Sequence, residues 1–164
     1  MKRKLIYIVV LIVSLSTIWS CDFDTNIYTA IEMEGAFESV QDIENAVHGA
    51  YRNVGYYPYR GNRGIAIGDM ASDISEASAS SGHFVAINTW TLNETTPDLL
   101  DVWTYAYKVI DQSTRGINAT LELLDSDNLL EGEDAKLESS LSQFYGLRAL
   151  AHFDLVNLFG LPYK

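Results

Sequence analysis

The stretch DAKLESSLSQFYGLRALAHFDLVNLF places Leu137, Leu141, Phe144, Arg148, Ala151, Leu155 and Leu158 at steps of four and three, the period of one face of an α-helix. The spacing predicts a helix from about Asp134 to Phe159. Gly160 and Pro162 follow, the residue types that end a helix. A helix with one apolar stripe is stable only where that stripe is buried on another element, so the rest of the chain must supply partners. Arg148 interrupts the stripe, and two readings stand. In one, its guanidinium is buried and paired, with Asp111 the carboxylate in question, because an unpaired buried charge is severely destabilising. In the other, the helix is rotated so that Leu147 points inward and Arg148 lays its stem along the surface.

Two further segments carry the same period. Ser39 is placed to cap a helix, with Asp42 in its first turn; Val40, Ile43, Val47, Ala50 with Tyr51, and Val54 form its inner face, and Gly55 ends it. A second begins at Thr96 as cap and Pro97 in the first turn, with Leu99, Val102, Trp103, Ala106, Val109, Ile110, Ile117, Leu121 and Leu124 on its apolar face. Gly116 weakens its middle and marks where a kink would fall. DSDNLLEGED makes the turn into the last helix. The intervening segment, from Gly55 to Thr96, is rich in Gly, Ser and Asn and has no sustained period, so it reads as a long irregular connection. Its apolar runs Ile65–Ile67 and Phe84–Ile87 read as brief strands or packed loop. Ordered connections this long are uncommon unless functional or disordered, so this segment is the first place to look for a binding surface. The fold class expected is all-α: about three long helices in a tetratricopeptide-like array with one extended loop.

Residues 1–20 stand apart. Lys2, Arg3 and Lys4 precede an unbroken apolar run from Leu5 to Val13, then small polar residues to Cys21. This order is that of an export signal, and the run is shorter than the roughly 18–20 residues a spanning helix needs. Cys21 is the sole cysteine, so no disulfide within the chain is available. Ile18, Ser20 and Cys21 resemble a bacterial lipobox, with Trp19 departing from the usual residue before Ser20; lipidation of Cys21 is the expectation, the acyl chains giving a membrane anchor. Residues 21–37 read as a tether and 38–164 as the folded domain. All 22 acids follow Cys21 while three of the 11 bases precede it, so the mature part carries eight bases against 22 acids, a net charge of −14. That balance disfavours nucleic acid as a partner.

The sequence carries no recognisable catalytic or metal-binding motif. His48, His83 and His152 are scattered, with no HExxH spacing and no second cysteine for zinc. No GxSxG or Cys–His arrangement occurs. From Asp125, an EF-hand would need glycine at its sixth position, where Leu130 stands. Pairs such as Asp69 and Asp73 suit acid–base work only in the sense that 22 acids guarantee such pairs. No metal, no cofactor and no enzymatic activity are expected. The aromatics offer more. Tyr57 and Tyr59 lie beside Arg60 and Arg63, and Trp90 sits between Asn88 and Asn93. Aromatic faces flanked by amides and guanidinium groups suit sugar rings, which stack through C–H faces and hydrogen-bond through hydroxyls. Trp90, Asn88, Asn93, Tyr57 and Tyr59 are therefore the ligand-binding candidates.

A resemblance adds to this. Leu147, Arg148, Ala149, Phe153, Leu155, Phe159, Gly160 and Pro162 look like the LRA-x-x-x-F-x-L-x-x-x-F-G-x-P signature of SusD/RagB-type lipoproteins. Trp103, Tyr107 and Ile110 resemble that family's W-x-x-x-Y-x-x-I helix, and AFESVQDIENAVHGAYRNV and GDMASDISE are similar to its first helix and the loop after it. The likeness is collinear over nearly the whole chain. Family members are several times longer, so the resemblance implies an N-terminal portion. It also implies an outer-membrane, cell-surface lipoprotein that captures a glycan for a SusC-like TonB-dependent transporter, with Arg148, Trp103 and Gly160 in structural roles. No ligand residue of the family is carried over by a motif match. A separate reading keeps the transporter contact alone, the chain acting as a docking scaffold without sugar.

Overall fold

A computed structural model describes residues 36–78, 80–126 and 128–160. The signal segment, Cys21 and nearly all of the tether lie outside the described residues, as does Pro162. Helix α1 spans Val40–Val54, α2 Arg63–Met70, α3 Val85–Asn88, α4 Pro97–Leu124 and α5 Glu133–Phe159; a single π-type turn, Tyr57–Gly61, joins α1 to α2. The described residues contain no strand. The all-α expectation holds, and the two short apolar runs are helical instead.

Local chemistry sets the ends of the long helices. Ser39 accepts from the Asp42 N–H, while Asp42 Oδ2 accepts from the Ser39 N–H at 3.0 Å, a reciprocal capping box. At the other end the Gly55 N–H bonds Tyr51 O at 2.9 Å. Pro97 stands in the first turn of α4 as expected. Thr96 precedes it without capping it: its Oγ1 accepts from the Asn93 N–H at 3.1 Å, closing the turn that leads into the helix. α5 begins one residue earlier than its pattern suggests, and Gly160 leaves it in extended backbone at φ −68°, ψ 144°.

The three long helices pack mutually. α4 and α5 form an antiparallel hairpin: Trp103 meets Phe159 and Gly116 faces Phe144, so numbers rise on one helix as they fall on the other. Ile43, Val47 and Ala50 of α1, Val102, Ala106 and Val109 of α4, and Leu137, Phe144, Leu147, Ala151 and Leu155 of α5 form the core. Gly116 does not interrupt α4, which runs unbroken for 28 residues. Instead it leaves room for the fully buried Phe144, since a Cβ there would lie 2.6 Å from that ring's Cε1 and Cε2.

The Arg148 question resolves toward rotation. Leu147 is buried. Arg148 is half-buried, its guanidinium 5.3 Å from the Tyr145 ring centroid. Asp111 pairs with Arg115 on its own helix at 2.7 Å, so the proposed Asp111–Arg148 pair is corrected. Trp103 and Leu121, placed on the buried face by period alone, are substantially exposed.

Candidate functional site

Residues 55–96 are less irregular than their composition suggests, and two ionic anchors explain why. The first is a clamp on Asp154 of α5. The Tyr59 hydroxyl donates to Oδ2 at 2.6 Å, while Arg60 donates from Nε to Oδ2 at 2.7 Å and from Nη2 to Oδ1 at 2.8 Å. This fork-on-carboxylate geometry is the strong, directional form of the contact. Burial would raise the Asp154 pKa, but the hydrogen bonds from Arg60 and Tyr59, with the Arg60 charge, outweigh it and hold the carboxyl below its ordinary value. Burial, followed by the bond to Asp154, pushes the Tyr59 phenol well above its usual range.

The second anchor is Arg63, the first residue of α2 and itself buried. Its Nε lies 3.0 Å from Asp98 Oδ1, a close ion pair too misaligned to count as a hydrogen bond. Its Nη1 pairs with Asp101, and its Nη2 lies 3.4 Å from His83 Nδ1. Tyr57 covers the guanidinium, 5.7 Å from ring centroid to Cζ. Asp98, buried in the first turn of α4, also accepts from the Phe84 N–H at 2.8 Å. That bond supports Phe84 in a left-handed conformation, φ 61°, at the start of α3. Asp98 stands in the first turn of α4, where helices favour acids. Its burial depends on which arginine the fold delivers to it.

The five ligand candidates separate. Tyr59 is fully buried and committed to Asp154, so its ring cannot stack on a ligand; that expectation is corrected. Asn88 is spent on the backbone: Nδ2 donates to Met70 O and Ser75 O at 3.1 Å each, and Oδ1 accepts from the Ala77 N–H at 3.4 Å. It braces the loop and is corrected to a structural role. Asn93 is exposed, its Oδ1 accepting from the Thr95 N–H and hydroxyl. Tyr57 is half-exposed. Trp90 is 70% exposed and sits at φ 57°, an uncommon conformation for a large side chain.

Trp103 does more than pack. Its ring meets Phe159 edge-on at 5.1 Å and Tyr107 at 4.9 Å. With Leu99, Leu100, Asn93 and Glu94 it lines a cleft of about 300 Å³, at the small end of ligand clefts. One amide and one carboxylate thus stand over an aromatic and aliphatic wall. Sequence reading missed the cleft because its walls come from the loop, the first turns of α4 and the last of α5.

Comparison with known protein families, characterised proteins and solved structures returns no match to this chain.

Among the described residues no group of three or more His, Cys, Asp or Glu is placed to hold a metal ion. His48 and His152 lie on α1 and α5, and His83 sits 3.4 Å from Asp98 Oδ1 at the edge of the Arg63 anchor. Asp69 offers its backbone carbonyl to the Ser72 and Ser75 hydroxyls at 2.7 Å each, ordering the turn after α2. Among the described residues no helix is long and apolar enough to cross a membrane.

Proposed function

We propose that this chain is the N-terminal helical part of a lipid-anchored, cell-surface glycan-binding protein of SusD/RagB type, with helices arranged as tetratricopeptide-like pairs. It captures an oligosaccharide or polysaccharide at the outer membrane for a SusC-like TonB-dependent transporter, and transforms nothing. The observation that carries the reading is a convergence. Trp103, packed against Tyr107 of its own signature-like stretch, meets Phe159 from the other, and Asn93 lines the cleft beside Trp103 and Phe159. Two stretches that resemble one family in sequence thereby build one aromatic-walled cleft, of the chemistry that sugar rings favour. Trp90 and Tyr57, exposed on the connection between α1 and α4, add stacking surface.

Affinity electrophoresis against a panel of soluble polysaccharides tests this directly. At least one glycan should retard the chain, and Trp103→Ala and Trp90→Ala should each weaken that retardation while leaving the helical circular dichroism intact. A chain that migrates unretarded on every gel would sink the glycan reading. Labelled palmitate should incorporate at Cys21 and be lost in Cys21→Ser; a product without lipid would sink the anchored one. A docking scaffold without sugar is the second reading, favoured by the exposed apolar residues Phe153 and Val156 on α5. Retention by a purified partner transporter, with no glycan bound, would select it.

A further inference from the structure

Eleven bases serve 22 acids in this chain, so a cation without a carboxylate partner asks for an account. Arg60, Arg63 and Arg115 are all in ion pairs. Arg52, Lys108, Lys136 and Arg148 are not, among the described residues, and the first two line one groove of about 340 Å³ between the end of α1 and the middle of α4. No carboxylate lines it. Arg52 lies in the last turn of α1, where the helix dipole favours a cation, but that reason does not reach Lys108 in mid-helix.

The rest of the groove is equally specific. Tyr56 and Tyr105 form a tilted ring pair, centroids 5.1 Å apart, and Lys108 Nζ is held 4.1 Å from the Tyr105 centroid. Asn53 Nδ2 donates to Gln112 Oε1 at 2.7 Å; both residues line the groove, and Asn53 Oδ1 and Gln112 Nε2 have no hydrogen-bond partner among the described residues. Two cations, an aromatic pair and an amide donor–acceptor pair match one ligand class: a hydroxylated ring bearing a carboxylate. We propose that this groove binds a uronic acid residue, its carboxylate between Arg52 and Lys108 and its ring against the tyrosines. The proposal deepens the glycan-binding reading and rests on it, naming the acidic glycans as the class.

Titration calorimetry of the full chain with a short oligogalacturonate, its methyl ester and a neutral maltooligosaccharide tests it. Physiological ionic strength suits the measurement, because screening over about 8 Å confines the repulsion from the acidic surface. The free acid should bind, and the ester, which keeps the ring and loses the charge, should bind at least about tenfold more weakly. Arg52→Gln with Lys108→Gln should lose the same factor for the acid alone, and Lys108→Arg should keep it. Both positions are exposed, so folding is expected to survive and circular dichroism checks it. Equal binding of acid and ester, full acid affinity in the double variant, or binding of the neutral sugar without the acid would each overturn the uronate site while leaving glycan binding in place. Failure to bind any sugar, acidic or neutral, would overturn both.

Discussion

Phe144 fills the space that any side chain at position 116 would need. On an exposed helix, replacing glycine by alanine gains about 1 kcal/mol. Here the added Cβ would sit 2.6 Å from two ring carbons of a fully buried phenylalanine, and overpacking of this kind costs about 1–3 kcal/mol. Gly116→Ala should therefore destabilise by about 1–2 kcal/mol in urea unfolding, and Phe144→Leu in that background should recover part of the loss. Asp154 sets a pH response of definite sign. Its folded pKa lies below the unfolded value, so its contribution is complete above about pH 4 and is lost as pH falls through the folded value. Tyr59, raised by burial, acts in the opposite sense: its contribution holds below about pH 10 and declines as pH rises. Asp154→Asn should flatten the acid limb of a stability–pH profile; an unchanged limb would remove Asp154 from that role.

At the scale of elements, the caps do as much as the stripes. Ser39→Ala removes half of the α1 capping box and should cost about 1 kcal/mol, readable as a lowered midpoint in chemical denaturation. Such signals are local, which is why α1, α4 and α5 were legible in the sequence to within a residue or two at their ends. The same local view failed for Tyr57–Met70 and Val85–Asn88. Gly61, Asn62, Gly64 and Gly68 weaken any helical preference there, and what holds these turns comes from distant carboxylates, Asp154 for Arg60 and Asp98 and Asp101 for Arg63. A short window cannot show a partner that far along the chain. Period alone also put Trp103 inward, because hydrophobic spacing cannot tell a core face from a cleft wall. Of the candidate residues, Trp90, Tyr57 and Asn93 are exposed to solvent. Tyr59 and Asn88, of the same residue types, are engaged by Asp154 and by the Met70 and Ser75 carbonyls.

Over the whole molecule, α5 is apolar on two sides. Phe144, Leu147, Ala151 and Leu155 face the core, while Phe153 and Val156 are 61% and 68% exposed. A helix apolar all round is ordinarily covered on both sides, and exposed patches of this kind promote association. Phe153→Lys with Val156→Lys should suppress concentration-dependent light scattering while shifting unfolding stability by no more than about 0.5 kcal/mol. A large stability loss would show instead that these side chains pack within the chain. The Asp154 clamp carries a further consequence, one of timing. Tyr59 and its acceptor are 95 positions apart, so in a chain exported unfolded from its N-terminus the phenol and its neighbouring guanidinium emerge well before that carboxylate. During this interval the nascent connection between α1 and α4 has only one of its two moorings within reach, and a holdase chaperone would find its tyrosines bare.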